Sequence, residues 1–132
     1  MGIALNLLVD SATLIWMSAV PALLSEPARA ALEEQDNSIF VSAASAWEIA
    51  TKHRLGRLDH GRPLLDAWAA GFAEAGYIQL AITDRHALRA GGYDVDHGDP
   101  FDRIIAAQAE LEGMVLVASD RAFDLFPVQR LW

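Results

Sequence analysis

Short apolar runs alternate along the chain with longer segments whose apolar residues recur at helical spacing. The short runs predict β-strands over residues 3–9, 38–41, 77–82, 114–118 and 128–131. The longer segments predict helices over 11–17, 25–35, 42–55, 63–75, 83–90 and 100–112, with a helical turn at 121–125 and a loop at 91–98. Because helices separate the strands, we expect a mainly parallel sheet covered on both faces. The pattern predicts a single α/β domain over residues 1–132.

Four acidic residues stand at the ends of these segments or inside them. Asp10 closes the run IALNLLVD, Asp120 closes MVLVASD, Glu48 lies within VSAASAWEIA, and Asp102 lies in the first turn of DPFDRIIAAQAELEG. An unpaired buried carboxylate is costly, and neighbouring parallel strands bring their carboxyl ends to the edge where open α/β sheets hold their sites. Clustered carboxylates need a counter-ion, and all-oxygen clusters suit Mg²⁺ or Mn²⁺. The pattern predicts an acidic metal site.

Each acid taken singly also has a structural interpretation as a helix cap. Asp10, Asp99 and Asp120 precede predicted helices, where a carboxylate accepts hydrogen bonds from free backbone N–H groups. Glu48 stands three residues after Ser45, which is the spacing of a capping box. Capping and metal binding therefore stay open for each residue alone, whereas the joint pattern favours a site.

Composition limits the classes of protein that remain. The 132 residues contain no cysteine, which excludes disulfides, zinc–thiolate sites and cysteine nucleophiles. The apolar stretch 3–24 is interrupted by Asn6, Asp10 and Pro21, and no Lys or Arg precedes it, so we expect neither a membrane span nor a signal peptide. A soluble cytoplasmic protein is the expectation.

The net charge of −8 argues against a passive nucleic-acid binder, because phosphate neutralisation by basic side chains supplies most of such affinity. It argues less against a metal-dependent nuclease, since bound cations offset part of the acidic charge. An acidic chain also suits a basic protein partner.

The segments LLVDS, VSAASAWEIATKHRLGRL, HALRAG, HGDPFDRIIAAQA and LVASDRAF resemble the PIN-domain ribonucleases, and most of all the VapC-type toxins of toxin–antitoxin pairs. The resemblance spans residues 7–132 and implies a PIN-like three-layer α/β/α fold. It implies a metal-dependent endoribonuclease whose metal-binding and catalytic acids are Asp10, Glu48, Asp102 and Asp120, with Asp99 supporting them. Related chains often read LLDTHALLW, whereas this chain has a serine, Ser11, after its aspartate.

The residue types indicate how hydrolysis would proceed. We assign Asp10, Asp102 and Asp120 mainly to ligation of Mg²⁺ or Mn²⁺, which lowers the pKa of a bound water and stabilises charge on the phosphate. Glu48 is either a fourth ligand or the group that orients the nucleophile. Ser11 is expected to hydrogen-bond a ligand carboxylate.

Four basic residues near the acids are candidates for contact with RNA phosphates: Lys52, Arg54, Arg57 and Arg103. Lys52 follows Glu48 by four residues, so an ordinary surface ion pair is the alternative. For Arg103 the alternative is pairing with an acid of the cluster. The four histidines lack metal-ligand spacing, and among them only His97 precedes an acid of the cluster in a loop. Tryptophans 16, 47 and 68 are expected in the core or an interface, with base stacking as the minor alternative.

The resemblance also implies partners. We expect an RNA substrate, with transfer RNA as the first candidate, and a cognate antitoxin that presents a basic side chain to the carboxylates. A homodimer is expected, with segments 14–24 and 63–72 as possible contact faces. Two other functions stay open: a PIN-like interaction module without turnover, and a small-molecule phosphohydrolase with an aspartate nucleophile.

Overall fold

A computed structural model describes residues 3–132 and contains a five-stranded sheet in the order β3-β2-β1-β4-β5. All four neighbouring pairs of strands are parallel. The strands are β1 (Asn6–Val9), β2 (Ser38–Ser42), β3 (Ile78–Leu80), β4 (Val115–Val117) and β5 (Arg130–Leu131). The predicted parallel α/β architecture is confirmed.

Seven helices connect and cover the strands: α1 (Ser11–Ala19), α2 (Glu26–Glu33), α3 (Ala43–Arg54), α4 (Gly61–Asp66), α5 (Trp68–Ala75), α6 (Asp84–Gly92) and α7 (Pro100–Glu112). Short 3-10 turns at Pro21–Leu23 and Arg121–Leu125 complete the chain. Among residues 3–132, no helix is both long enough and apolar enough to cross a membrane.

Successive side chains of β1 point to opposite faces of the sheet, so the core is divided into two layers. Leu7 and Val9 pack on one face with apolar residues of α1 to α5. Leu8 points to the other face, where it packs with residues of α6 and α7 such as Ile105 and Ala106. All three β1 side chains are fully buried, as expected for a central strand covered on both faces.

The central strands end level with one another. Val9 of β1 lies opposite Val41 of β2 on one side and opposite Val117 of β4 on the other. The chain leaves β1 for β2 on one side and later returns to β4 on the opposite side, so a crevice opens beyond the carboxyl ends of these strands. This topology gathers residues that follow β1, β2 and β4.

The largest departure from the predicted elements lies between residues 61 and 75. One helix over 63–75 was expected, but the chain forms α4 and α5, with Ala67 outside helical geometry between them. Leu64 and Phe72 are both buried against the same core, and the break at Ala67 lets both helices present their apolar side chains to it. Helical periodicity alone could not reveal this change of direction.

Smaller departures concern segment ends. Four strands are shorter than predicted, whereas β2 extends one residue further, to Ser42. Helix α6 continues through Gly91 and Gly92, so the loop before α7 begins at Tyr93. The 3-10 turn at Pro21–Leu23 was not predicted. The domain was expected over residues 1–132, and of that range residues 1 and 2 lie outside the described part of the chain.

The two-layer core predicts a large effect of truncating the central strand. Leu8 is 0% exposed, so Leu8→Ala should lower the free energy of unfolding by about 2–5 kcal/mol through lost burial and the cavity left behind. Leu88→Ala is the matched control, because Leu88 is 77% exposed and should change the free energy by less than about 0.5 kcal/mol. Urea titration followed by circular dichroism measures both values, and equal effects would contradict the described core.

Candidate functional site

A cavity of about 650 Å³ opens beyond the carboxyl ends of the central strands. Six carboxylates, two hydroxyls, one ammonium and one imidazole line it, and we call it the acidic cavity: Asp10, Glu48, Asp59, Asp99, Asp102, Asp120, Ser11, Ser119, Lys52 and His60. The four acids predicted as ligands come from four separate stretches of the chain. The fold therefore brings together residues up to 110 positions apart.

Asp10 lies at the junction of β1 and α1 and is held from two sides. Its Oδ1 accepts from the backbone N–H of Thr13 at 2.9 Å, which makes it the N-cap of α1. The Thr13 hydroxyl donates to the carbonyl of Val117 at the end of β4, at 3.0 Å. This pair of bonds ties the first acid to the strand that leads to Asp120.

Burial raises the pKa of the Asp10 carboxyl to about 6, against hydrogen bonds from Thr13 that lower it. The carboxylates of Asp102 and Glu48 repel its charge and contribute to the increase. Asp10 thus carries a negative charge that its surroundings disfavour, and a bound cation would relieve this.

Glu48 is buried on α3 and has a donor on each oxygen. The Ser11 hydroxyl donates to Oε1 at 2.6 Å, and the Lys52 ammonium donates to Oε2 at 2.5 Å. The Ser11 oxygen also lies 2.9 Å from the Ser45 hydroxyl oxygen. Since Ser11 has one hydroxyl hydrogen, it donates to Glu48 and accepts from Ser45. Ser11 contacts an acid of the site, as its predicted supporting role requires.

The capping-box interpretation of Ser45 and Glu48 is wrong. Helix α3 begins at Ala43, and its N-cap is Ser42, which accepts from the backbone N–H of Ala44. Ser45 is buried inside the helix, so its hydroxyl serves the contact with Ser11 and not a helix end.

Asp99 and Asp102 begin α7 and differ in role. Asp99 caps the helix, because its Oδ1 accepts from the N–H groups of Phe101 and Asp102. Asp102 Oδ2 lies 2.9 Å from Nε2 of His97. Burial raises the pKa of the Asp102 carboxyl, while the hydrogen bond from His97 lowers it. Asp99 supports the turn that presents Asp102, in agreement with its expected secondary role.

Asp120 occupies the exposed rim of the cavity. Its Oδ1 accepts from the backbone N–H of Ala122 at 2.9 Å and caps the 3-10 turn that follows β4. Capping and lining the cavity are thus combined in one side chain, as they are in Asp10.

The donor set of the acidic cavity suits a hard divalent cation in its chemistry, since it consists of carboxylate oxygens. Over residues 3–132, however, no group of three or more acidic or histidine side chains converges closely enough to hold an ion. The local partners explain this, because Thr13, Ser11, His97 and Ala122 each engage an oxygen of a different acid. The carboxylates are close enough to repel one another but are oriented by the protein's own donors.

The predicted phosphate-binding residues are placed differently from one another. Lys52 lines the acidic cavity, and its bond to Glu48 raises the pKa of its ammonium. Arg54 and Arg57 are exposed on the segment after Glu48 and are not part of the lining. The expected contact of Arg103 with a phosphate or an acid is wrong, because its guanidinium donates to four backbone carbonyls between residues 90 and 97. Its donors are therefore engaged by the protein and not directed to a phosphate or an acid.

The tryptophans do not share one environment. Trp16 is half-buried in the lining of the acidic cavity, with its ring tilted against that of Trp132. Trp68 packs edge-on against Phe72 at the margin of the core, as expected. Trp47 is 62% exposed on α3 and meets Phe101 edge-on, with ring centroids 4.7 Å apart.

Two contributors to the site were not predicted from the sequence. Thr13 lies three residues after Asp10, the spacing of an N-cap bond, but its hydroxyl contact with β4 depends on strand order. Ser45 reaches Ser11 across 34 positions of the chain, and no local pattern marks that contact.

Comparison with known proteins places these features in a family. The family model of the PIN domain matches residues 7–128. Ribonuclease VapC22 of Mycobacterium tuberculosis is 35% identical over 118 residues, which are 88% of this chain and 88% of that one. The structure of VapBC2 from Rickettsia felis bound to promoter DNA aligns with a TM-score of 0.63 at 12% identity, covering 95% of this chain and 96% of the other. VapBC-1 of Haemophilus influenzae aligns with a TM-score of 0.60 at 16% identity, over 95% and 96% of the two chains.

The raised pKa of Asp10 predicts that its charge destabilises the metal-free fold. The carboxyl has an ordinary pKa of 3.8 in the unfolded chain and about 6 in the folded one, so the penalty is absent below both values, grows between them and is complete above pH 6. Asp10→Asn keeps the cap and removes the charge. It should raise the free energy of unfolding at pH 7.5 by about 1–3 kcal/mol, with a smaller gain at pH 5.

Urea titrations at both pH values measure this gain. Asp36→Asn is the control, because Asp36 is exposed just before β2, at the opposite edge of the sheet. A loss of stability in Asp10→Asn at pH 7.5 would contradict the described environment of the carboxyl.

Proposed function

This chain belongs to the PIN-domain family and is a VapC-type endoribonuclease toxin, and we propose that it hydrolyses phosphodiester bonds of transfer RNA with Mg²⁺ or Mn²⁺ at the acidic cavity. The observation that carries the proposal is that Asp10, Glu48 and Asp102 line one cavity at the switch point of a parallel sheet, close enough for their charges to disfavour one another. Such a cluster without an equal number of cations favours the binding of a divalent ion.

The proposed ligands are Asp10, Asp102 and Asp120, and of the two roles expected for Glu48, fourth ligand or water-orienting group, we propose the second. When bound, a divalent cation lowers the pKa of water and offsets charge that develops on the phosphate oxygens. The side chains around the ligands have separate tasks. Thr13 fixes the carboxylate of Asp10, and Asp99 fixes the first turn of α7. These bonds reduce the number of orientations that the ligand carboxylates sample before an ion binds.

Glu48 is proposed to orient the attacking water. Its two oxygens accept from Ser11 and Lys52, so the carboxylate is held in one orientation. An ionised carboxylate only accepts hydrogen bonds, which is the property needed to align a water that donates to it. Lys52 is 46% exposed, so its ammonium can also attract an incoming phosphate from solvent.

The proposed inhibitor is a cognate antitoxin with a basic side chain that enters the acidic cavity. The net charge of −8 and the scarcity of cations in the cavity favour a basic segment over an acidic or apolar one. Such a segment would offset the same repulsion that a metal offsets, so it would compete with the metal for the carboxylates. A homodimer is proposed as well, by analogy with the family.

Cleavage of total cellular RNA by the purified protein tests the proposed activity. In Mg²⁺ or Mn²⁺ the protein should release discrete fragments, and sequencing them identifies the substrate. Asp102→Asn should reduce the cleavage rate at least about hundredfold, because it removes a ligand charge while retaining the size of the side chain. Excess EDTA should have the same effect on the unchanged protein.

Asp36→Asn is the matched control for this substitution, since the same chemical change is made at the opposite edge of the sheet. It should cleave at the rate of the unchanged protein. Equal cleavage by Asp102→Asn, or full activity in EDTA, would contradict a metal-dependent nuclease at this cavity.

The position of Lys52 predicts an electrostatic contribution to RNA binding. Lys52→Ala, made in the inactive Asp102→Asn protein, should weaken RNA binding and lower the slope of log K against log salt concentration by about one unit. Arg62→Ala is the control, because it removes a cation whose exposed ion pair with Asp66 lies outside the cavity lining. Fluorescence anisotropy with labelled transfer RNA measures both slopes, and an unchanged slope in Lys52→Ala would remove this residue from the RNA-binding surface.

A further inference from the structure

The loop over residues 93–99 joins α6 to α7 and is fixed by one side chain of α7. The guanidinium of Arg103 donates to the carbonyls of Ala90 at 2.8 Å, Tyr93 at 2.6 Å, Val95 at 3.1 Å and His97 at 2.8 Å. Ala90 and Tyr93 belong to the end of α6, where carbonyls lack partners within the helix. One arginine side chain thus supplies hydrogen-bond donors to carbonyls at the end of α6 and holds the loop against α7.

His97 is the residue of this loop whose side chain contacts the Asp102 carboxylate. Its Nε2 lies 2.9 Å from Oδ2 of Asp102, and an ionised carboxylate only accepts, so Nε2 carries the hydrogen. The ring packs edge-on against Phe126, with centroids 5.9 Å apart. Arg103 therefore holds the backbone of His97, and Phe126 holds its ring. The imidazole, held in this way, fixes the Asp102 carboxylate.

We propose that His97 is a positioning residue for the metal site, held in place by Arg103, and that it orients Asp102 so that Oδ1 alone is presented to the acidic cavity. This inference rests on the proposed function of Asp102 as a metal ligand. Glu48 and Asp99 both repel the Asp102 charge, so without a donor the carboxylate would turn away from them and lose its alignment. His97 provides that donor from the loop that precedes α7.

The residues around Asp102 have separable roles. Asp99 fixes the backbone of the first turn through the N–H groups of Phe101 and Asp102. His97 fixes the carboxylate itself, through Oδ2. Arg103 contacts neither the carboxylate nor the cavity and acts only through the loop. A substitution of His97 should therefore change metal affinity, whereas a purely structural contact would change only stability.

Calorimetric titration of the metal-free protein with Mn²⁺ tests the inference. His97→Gln places an amide N–H where Nε2 lies and should bind Mn²⁺ close to the affinity of the unchanged protein. His97→Phe retains an aromatic ring against Phe126 but has no donor, and its affinity should fall about tenfold to hundredfold. The matched control is His53→Phe, because His53 lies on α3 outside the cavity lining. It should leave the affinity unchanged.

The link to Arg103 is tested by a double-mutant cycle. Arg103→Lys keeps the positive charge but cannot reach four carbonyls at once, so it should weaken Mn²⁺ binding in the unchanged protein. In the His97→Phe background it should weaken binding no further, because the hydrogen bond that it supports is already absent. Urea titration of each variant measures the accompanying change in stability separately.

The possible results are distinguishable. Equal Mn²⁺ affinity for His97→Phe and the unchanged protein would overturn the positioning role while leaving the proposed nuclease intact. Equal losses in His97→Gln and His97→Phe would show that a donor at this position does not restore the affinity, and would also overturn it. Absence of Mn²⁺ binding by the unchanged protein would overturn both this inference and the proposed function. Additive losses in the double variant would overturn the assignment of Arg103 alone.

Discussion

Repulsion among carboxylates that are removed from water is the constraint around which this end of the molecule is arranged. Asp10 and Glu48 are buried and Asp102 is partly buried, and each adds to the electrostatic cost of its neighbours. A fold selected only for stability would replace such a cluster with apolar side chains. The chain instead retains the acids and surrounds them with donors, which indicates that their charge serves the site and not the core.

The donors that hold the acids come mostly from the same elements that carry them. Asp10 and Asp120 cap the helical turns that follow their strands, and the α7 N-cap Asp99 holds the turn of Asp102. Capping and metal binding looked like competing interpretations of the sequence, but they are compatible, since a carboxylate has two oxygens and a cap uses one. The cap is therefore part of how the ligand is oriented.

The sequence predicted the parallel fold and the set of acids because both depend on local patterns, namely apolar runs and the residues that end them. It did not predict the role of Arg103, because the carbonyls that this side chain contacts are brought together only by the packing of α6 on α7. The hydroxyl contact between Ser11 and Ser45 was missed for the same reason, since it joins α1 to α3. The break at Ala67 depends on which core residues each helix must reach, which periodicity does not encode.

The negative charge of the acidic cavity also explains how a bound cation, either a metal ion or a basic side chain, would control the activity. Lys52 is the single ammonium in a cavity lined by six carboxylates, and it is already bonded to Glu48. A free cavity of this kind repels a polyanion such as RNA. In the proposed function, a divalent ion reverses that field and makes phosphate binding favourable, whereas a basic side chain of an antitoxin offsets the charge without supplying the chemistry. Activation and inhibition would then be two outcomes of one electrostatic requirement, distinguished by whether the neutralising group can hold a reactive water.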